Sequence, residues 1–206
     1  MAYVTPQMIE EMARLYGEPR LLSLTFEILP SELDMVRGSR KHGRNHDITM
    51  FIFRDDSYRQ FAAIAKHMFP PGVFRAPSGA AKPGESLEDG AVREALEETG
   101  LQIALDRFIL LINVRFTCGE EVEDWRSLVF TAFRKGGELG PLDVEEIRES
   151  VWMSIDDLQG PVRRRLLDTG MGLFAYRVAL HDAAVERIKE LQGRKPPPGE
   201  ANSPAK

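Results

Sequence analysis

The sequence predicts a layered α/β or α+β domain, and three observations carry that prediction. Runs of strand length rich in apolar, β-branched and aromatic residues recur along the chain. Segments with helical spacing of apolar residues stand before, between and after them. Stretches rich in proline and glycine separate the two kinds of segment. A sheet covered by helices satisfies all three. With 206 residues, the chain is long enough for one such domain with a real core.

Taken in order, Thr5-Pro6 is a helix N-cap followed by proline at the first helical position, so a short helix is expected to about Tyr16. LLSLTFEIL (21–29) reads as a strand ended by Pro30-Ser31, and the polar segment 31–46 reads as irregular. DITMFIFR (47–54) and QFAAIAKHM (60–68) read as two strands around the turn Asp55-Asp56-Ser57. Residues 69–85 hold four prolines and must form a loop. A helix follows from about Leu87 to Thr99, with Gly100 as its stop. FILLINVRFT (108–117) and WRSLVFTAFRK (125–135) read as strands joined by an acidic, solvated loop from Glu120 to Asp124, and Gly136-Gly137 reads as a turn. A short strand near Trp152, an N-capped start at SIDDL (154–158) and a long helix over 171–192 complete the pattern. The Pro-rich end is expected to be a disordered tail. The expected organisation is an N-terminal helix and strand extension (1–45), a core (46–160), C-terminal helices (161–192) and the tail (193–206).

Charge and cysteine usage exclude some functions. The 27 Lys and Arg against 32 Asp and Glu give a net charge of −5, so no nucleic-acid partner is expected. The single Cys118 allows no internal disulfide and no thiolate metal cluster, and it reads as a strand residue rather than a nucleophile. Glutamates interrupt the first residues where a leader needs an apolar run, and no stretch approaches the ~18 apolar residues of a membrane span. A cytoplasmic protein with no membrane partner is expected.

The stretch ESLEDGAVREALEETGL (85–101) raises a physical question. At about 100° per residue, Glu94, Glu97 and Glu98 share one face of the helix, with Val92, Ala95, Leu96 and Thr99 opposite. Either water or a cation must absorb the repulsion. Carboxylates at adjacent positions on a rigid element are hard oxygen ligands of the kind Mg²⁺ takes.

The spacing around that helix narrows the choice. Gly79 is followed after five residues by Glu85, and after seven more by Arg93-Glu94-Ala95-Leu96-Glu97-Glu98-Thr99-Gly100-Leu101. This pattern resembles the signature box of the Nudix hydrolases at every fixed position. Ala95 is smaller than the aliphatic usual at its position, and Ser78 stands where many relatives have glycine; neither change removes a ligand. The resemblance implies an α/β/α sandwich with a mixed sheet, carrying here an N-terminal extension and C-terminal helices. It implies Mg²⁺- or Mn²⁺-dependent hydrolysis of a nucleoside diphosphate linked to another group, a nucleotide sugar or ADP-ribose being the expected kind. By the same resemblance Glu94, Glu97 and Glu98 hold the cation, the backbone carbonyl of Gly79 adds a ligand, and Arg93 and Glu85 orient the ligand carboxylates. The general base is left between the box glutamates and the later acidic segment holding Glu145 and Glu146. Arg75, just before the box, is a candidate phosphate contact. The resemblance also allows a homodimer.

Two other readings stand beside this one. Isopentenyl-diphosphate isomerase shares the implied fold but needs a cysteine upstream of the box, and this chain has none before Cys118. A non-catalytic nucleotide-binding module would be expected to lose box glutamates, and all are present.

Overall fold

A computed structural model describes residues 4–40 and 43–193 of the chain. The expected tail from 194 onward lies outside the described residues. Helices are α1 (Pro6–Tyr16), α2 (Pro30–Gly38), α3 (Leu87–Thr99), α4 (Ile155–Asp157), α5 (Arg163–Asp168) and α6 (Gly172–Gly193), with a π-helical turn at Leu158–Val162. Strands are β1 (Arg20–Glu27), β2 (His46–Phe53), β3 (Gln60–Lys66), β4 (Ser78–Gly79), β5 (Leu101–Cys118), β6 (Glu121–Gly137) and β7 (Ile147–Ser154). They form one mixed sheet in the order β1-β5-β6-β2-β3-β7, with β4 pairing with β2. β1 runs parallel to β5 and β2 parallel to β6, while β5–β6 and β3–β7 are antiparallel.

Alternation along the central strand explains the layers. Ile48, Met50 and Ile52 of β2 point to one face, where they join Met12 of α1 and Leu87, Ala91 and Ala95 of α3. Phe51 and Phe53 point to the other, with Leu33 and Val36 of α2 and Phe174, Val178 and Leu180 of α6. A strand buried on both faces reads as a continuous apolar run, as β2 does. The result is the expected α/β/α sandwich. Among the described residues, no helix is long and apolar enough to cross a membrane.

Four local expectations are corrected. The segment after Pro30 is not irregular: it forms α2, because Leu33 and Val36 fall three apart on one face and Glu32 reaches back to the Leu29 N–H at 2.9 Å. β5 and β6 are longer than their apolar runs, since bulges near Gln102, Leu105 and Phe108 let them bend while staying paired. The acidic stretch is therefore mostly strand. Glu123 is buried against α2, where Arg37 Nε donates to it at 2.9 Å and Arg40 adds a second ion pair. Gly136 and Gly137 close β6 opposite Gln102 and Leu101 rather than forming the turn.

Glu32 joins α2 to the start of α6. Its side chain is fully buried and accepts the N–H groups of Gly172 (3.1 Å) and Leu173 (2.8 Å) at the start of α6, besides that of Leu29. A carboxylate at a helix N-terminus satisfies orphan donors and complements the helix dipole. Glu32→Ala is expected to cost about 2 kcal/mol, because three partly buried N–H groups lose their acceptor. Urea denaturation of wild type and variant measures it; a change below about 0.5 kcal/mol would mean that α6 is not anchored through Glu32.

Candidate active site

The loop from Phe69 to Glu85 returns to the sheet through β4, which lies beside β2 with Ser78 opposite Thr49 and Gly79 opposite Ile48. Helix α3 packs above it. Ser86 caps α3 by accepting from Asp89 N at 3.0 Å. Gly100 ends it at φ +72°, where a side chain would strike the carbonyls of Glu138 and Gly140.

Alternate amides of the loop backbone meet carboxylates of α3 and of the loop itself. Ser78 N donates to Glu98 Oε2 at 2.8 Å, Ala80 N to Glu94 Oε1 at 3.2 Å and Lys82 N to Glu85 Oε2 at 2.7 Å. Extended backbone turns alternate amides to the same side, so three carboxylates fit three amides. Gly79 lies between the first two. A Cβ there would come within 1.9 Å of the Glu94 carboxyl carbon, so the position has no room for a side chain.

Arg93 closes the arrangement. Its guanidinium grips Glu85 with two bonds, Nε–Oε1 at 2.9 Å and Nη2–Oε2 at 3.0 Å. Nη1 donates to Glu94 Oε1 and Glu97 Oε2, both at 2.9 Å, and Nη2 to the Ala80 carbonyl at 2.8 Å. Glu85 is held below the usual carboxylate range by the hydrogen bonds from Arg93. Arg93 is held more firmly protonated than usual, chiefly by Glu85.

Helix α3 is rotated from the orientation its sequence pattern suggests. Val92 and Leu96 are exposed, whereas Glu98 is only 5% exposed and turned into the cleft between α3 and the sheet. Beyond Leu87, α3 packs on the core through the small residues Gly90, Ala91 and Ala95, so the helix sits close enough to bury Glu98 with them. Around Glu98 stand Arg75 Nη2 at 3.6 Å and Lys66 Nζ at 3.7 Å. Burial pushes the Glu98 carboxyl up to about 7, because the cost of desolvation exceeds what Arg75 and Lys66 return and Glu94 adds repulsion. Burial also depresses Lys66, and neighbouring Arg75 depresses it further.

The structure gathers most, not all, of the residues singled out from sequence. Glu94, Glu98, Gly79 and Arg75 line one cavity of about 520 Å³. Glu97 stays at its rim on Arg93, with its side chain 44% exposed. Glu146 lines the cavity and pairs with Lys66, while Glu145 is exposed and outside the lining. Four further lining residues are not singled out as site residues by the sequence: Lys66, Asp47, Arg177 and Trp125, the last of which reads there as core. A lysine ending the apolar run of β3 was a signal for the first. The others are brought together only by the tertiary fold: Asp47 accepts from Trp125 Nε1 at 2.8 Å, and Arg177 donates to Thr49 Oγ1 at 3.1 Å. Burial opposes ionisation of Asp47, but Arg177, Ser127 and Trp125 outweigh it and hold the carboxyl low.

The donor set suits a hard divalent cation: Glu94 and Glu98 face the cleft, Glu97 is their neighbour on α3, and the nearby Arg75 and Lys66 do not offset the cost of burying Glu98. In this conformation, among the described residues, no three acidic, histidine or cysteine side chains are already gathered as a cation cage. Side-chain rotation of the glutamates is needed to gather them.

Comparisons with known proteins agree with this geometry. The NUDIX domain family model matches residues 44–170. A NAD-capped RNA hydrolase NudC of Chromobacterium violaceum is 31% identical over 126 residues, covering 60% of this chain and 41% of that protein. The NAD-capped RNA hydrolase NudC of Stutzerimonas stutzeri is 34% identical over 99 residues, covering 48% of this chain and 33% of that one. The chain thus spans less than half the length of these curated relatives. The crystal structure of a NUDIX hydrolase from Nitrosomonas europaea superposes with a TM-score of 0.51 at 15% identity over 73% of each chain, a likeness of fold.

Arg93→Lys keeps the charge but cannot hold Glu85, Glu94, Glu97 and Ala80 together. It is expected to weaken Mn²⁺ binding by about tenfold or more with an unchanged far-UV circular dichroism spectrum. Mn²⁺ titration that gives equal affinities for variant and wild type would show that the fork does not order the carboxylates.

Proposed function

The chain belongs to the NUDIX family, and from that premise we propose that it is a divalent-metal-dependent hydrolase of a diphosphate that links a nucleoside to a second group. The observation that carries the proposal is the Arg93-held carboxylate face of α3, set across a cleft from the cations Lys66 and Arg75. A diphosphate resists attack because its own charge repels a nucleophile, and a site of this composition offsets that charge.

Glu94, Glu97 and Glu98 would hold Mg²⁺ or Mn²⁺, with the Gly79 carbonyl as a further donor. The bound cation supplies charge neutralisation at phosphorus and a water of lowered pKa. Arg93 holds Glu94 and Glu97, the Ser78 amide holds Glu98, and Glu85 keeps Arg93 in place. Arg75 and Lys66 face the position of the phosphate oxygens and stabilise the charge that grows on them. Glu146 is the favoured base, because it lines the cleft beside Lys66 and Glu145 does not. It takes the proton of the attacking water as the new O–P bond forms and the bridging P–O bond breaks. The products are a nucleoside monophosphate and the phosphorylated second group.

The curated relatives are named for NAD-capped RNA. An NAD cap contains the same bond class, a diphosphate between two nucleosides, which supports including NAD among the substrates tried. A nucleotide sugar and ADP-ribose belong to that class too.

The test is Mg²⁺-dependent hydrolysis of ADP-ribose, NAD⁺, NADH and UDP-glucose, followed by release of nucleoside monophosphate, with Glu98→Gln in parallel. At least one substrate is expected to be cleaved, and Glu98→Gln is expected to lower kcat by about 10²-fold or more. Equal turnover by the variant would remove Glu98 from the chemistry.

A further inference from the structure

The cleft does not end at the phosphate-facing cations. Beyond Arg75 and Asp47 it continues into a chamber walled by Met35, Val36 and Ser39 of α2 and by Leu173, Phe174 and Arg177 of α6. Both helices lie outside the matched residues 44–170, so part of the chamber wall comes from segments that the family match does not cover. We propose that it is the pocket for the nucleobase of the substrate, with the diphosphate lying at the Glu94–Glu98 end. The inference rests on the hydrolase reading for its orientation, but its own observations are the lining and the chemistry it offers.

Three kinds of group are candidates for such a chamber. A sugar needs acceptors for its hydroxyls. The carboxylate at that end, Asp47, is already committed: Trp125 and Ser127 donate to Oδ1, and Thr49 donates to Oδ2 at 3.0 Å. The rest of the wall is mostly methionine, aliphatic and aromatic, with Ser39, Arg44 and Arg177 as its polar members. An isoprenoid chain would suit those side chains but would cover Arg177 and Arg44 without giving them an acceptor. Arg177 uses only Nη1 within the protein, on Thr49 and toward Asp47 at 3.7 Å. Among the described residues its Nε and Nη2 have no hydrogen-bond partner. Leaving guanidinium donors covered and unpaired is costly.

A nucleobase meets both demands. Its faces match the aromatic lining, where Phe69 and Phe174 sit edge to face at 5.0 Å and Trp125 is covered by the Arg44 guanidinium at 5.4 Å. Its in-plane nitrogen and oxygen acceptors match the remaining donors of Arg177. The placement is also continuous with the chemistry. Arg177 is bonded to Thr49, which is registered opposite Ser78, the residue whose amide holds Glu98. One guanidinium therefore stands between the ring chamber and the phosphate end.

The experiment compares ligands that differ only at the ring. AMP, UMP, nicotinamide mononucleotide, ribose 5-phosphate and geranyl phosphate are titrated by calorimetry with Mg²⁺ present; none contains a diphosphate to be cleaved. At least one ring-bearing nucleotide is expected to bind about fivefold or more tightly than ribose 5-phosphate, the gain of stacking one base. Ser39→Phe fills the chamber from an exposed position and is expected to abolish that preference while leaving ribose 5-phosphate unchanged. Phe69→Leu removes a ring at constant polarity and is expected to reduce the preference. Equal affinity for all nucleotides and ribose 5-phosphate would overturn the proposal, as would a preference that survives both substitutions or tighter binding of geranyl phosphate. Hydrolysis without a base preference would leave the hydrolase reading intact and remove the pocket; a base preference without hydrolysis would do the reverse.

Discussion

The site depends on one guanidinium. Arg93 donates to Glu85, Glu94, Glu97 and the Ala80 carbonyl, so a single side chain ties the loop before α3 to the helix itself. Without it, Glu94 and Glu97 would repel each other on one helical face. The three loop amides add a second constraint from below, each accepted by one carboxylate at alternate residues. Holding each carboxylate by a guanidinium, an amide or both limits the rotation left for a cation to order, and ordering a free side chain at binding would cost affinity.

The sheet then sets what faces that carboxylate edge. β3 delivers Lys66, the loop after it delivers Arg75, and β2 delivers Asp47 and Thr49. Positive groups on the sheet side and negative groups on the helix side leave a cleft that is nearly balanced in charge, and burial makes each interaction stronger than it would be in water. The two helices that extend this cleft, α2 and α6, are joined through the buried Glu32, so the chamber wall is anchored as one piece.

Much of this was legible in the sequence, and the failures have physical causes. The helix 87–99 and its two end signals were legible because capping and periodicity are local. The Gly79–Leu101 spacing was legible because several of its fixed residues are partners within the same segment, as Arg93 with Glu85 and Glu97. The rotation of α3 was not: Glu98 is buried only because Ser78, Arg75 and Lys66 receive it, and those contacts come from the tertiary fold. Helix α2 was missed because its polar sequence gains its helical form from Glu32 and from two apolar contacts with the sheet. Glu123 was misread because strand pairing, not the local acidic run, decides which way it points. Arg177 and Asp47 meet across almost the whole matched region, and no local pattern announces such a pair.

The central claim is that Glu94, Glu97 and Glu98 form one divalent-cation site, the first two ordered by Arg93 and the third by the Ser78 amide. Electron paramagnetic resonance of free Mn²⁺, titrated against wild type and Glu98→Gln, tests it most directly and does not need the substrate. The account predicts that wild type removes the free Mn²⁺ signal and that the variant leaves most of it at the same protein concentration. A wild-type protein that leaves Mn²⁺ free, or a variant that binds it as tightly, would contradict the account.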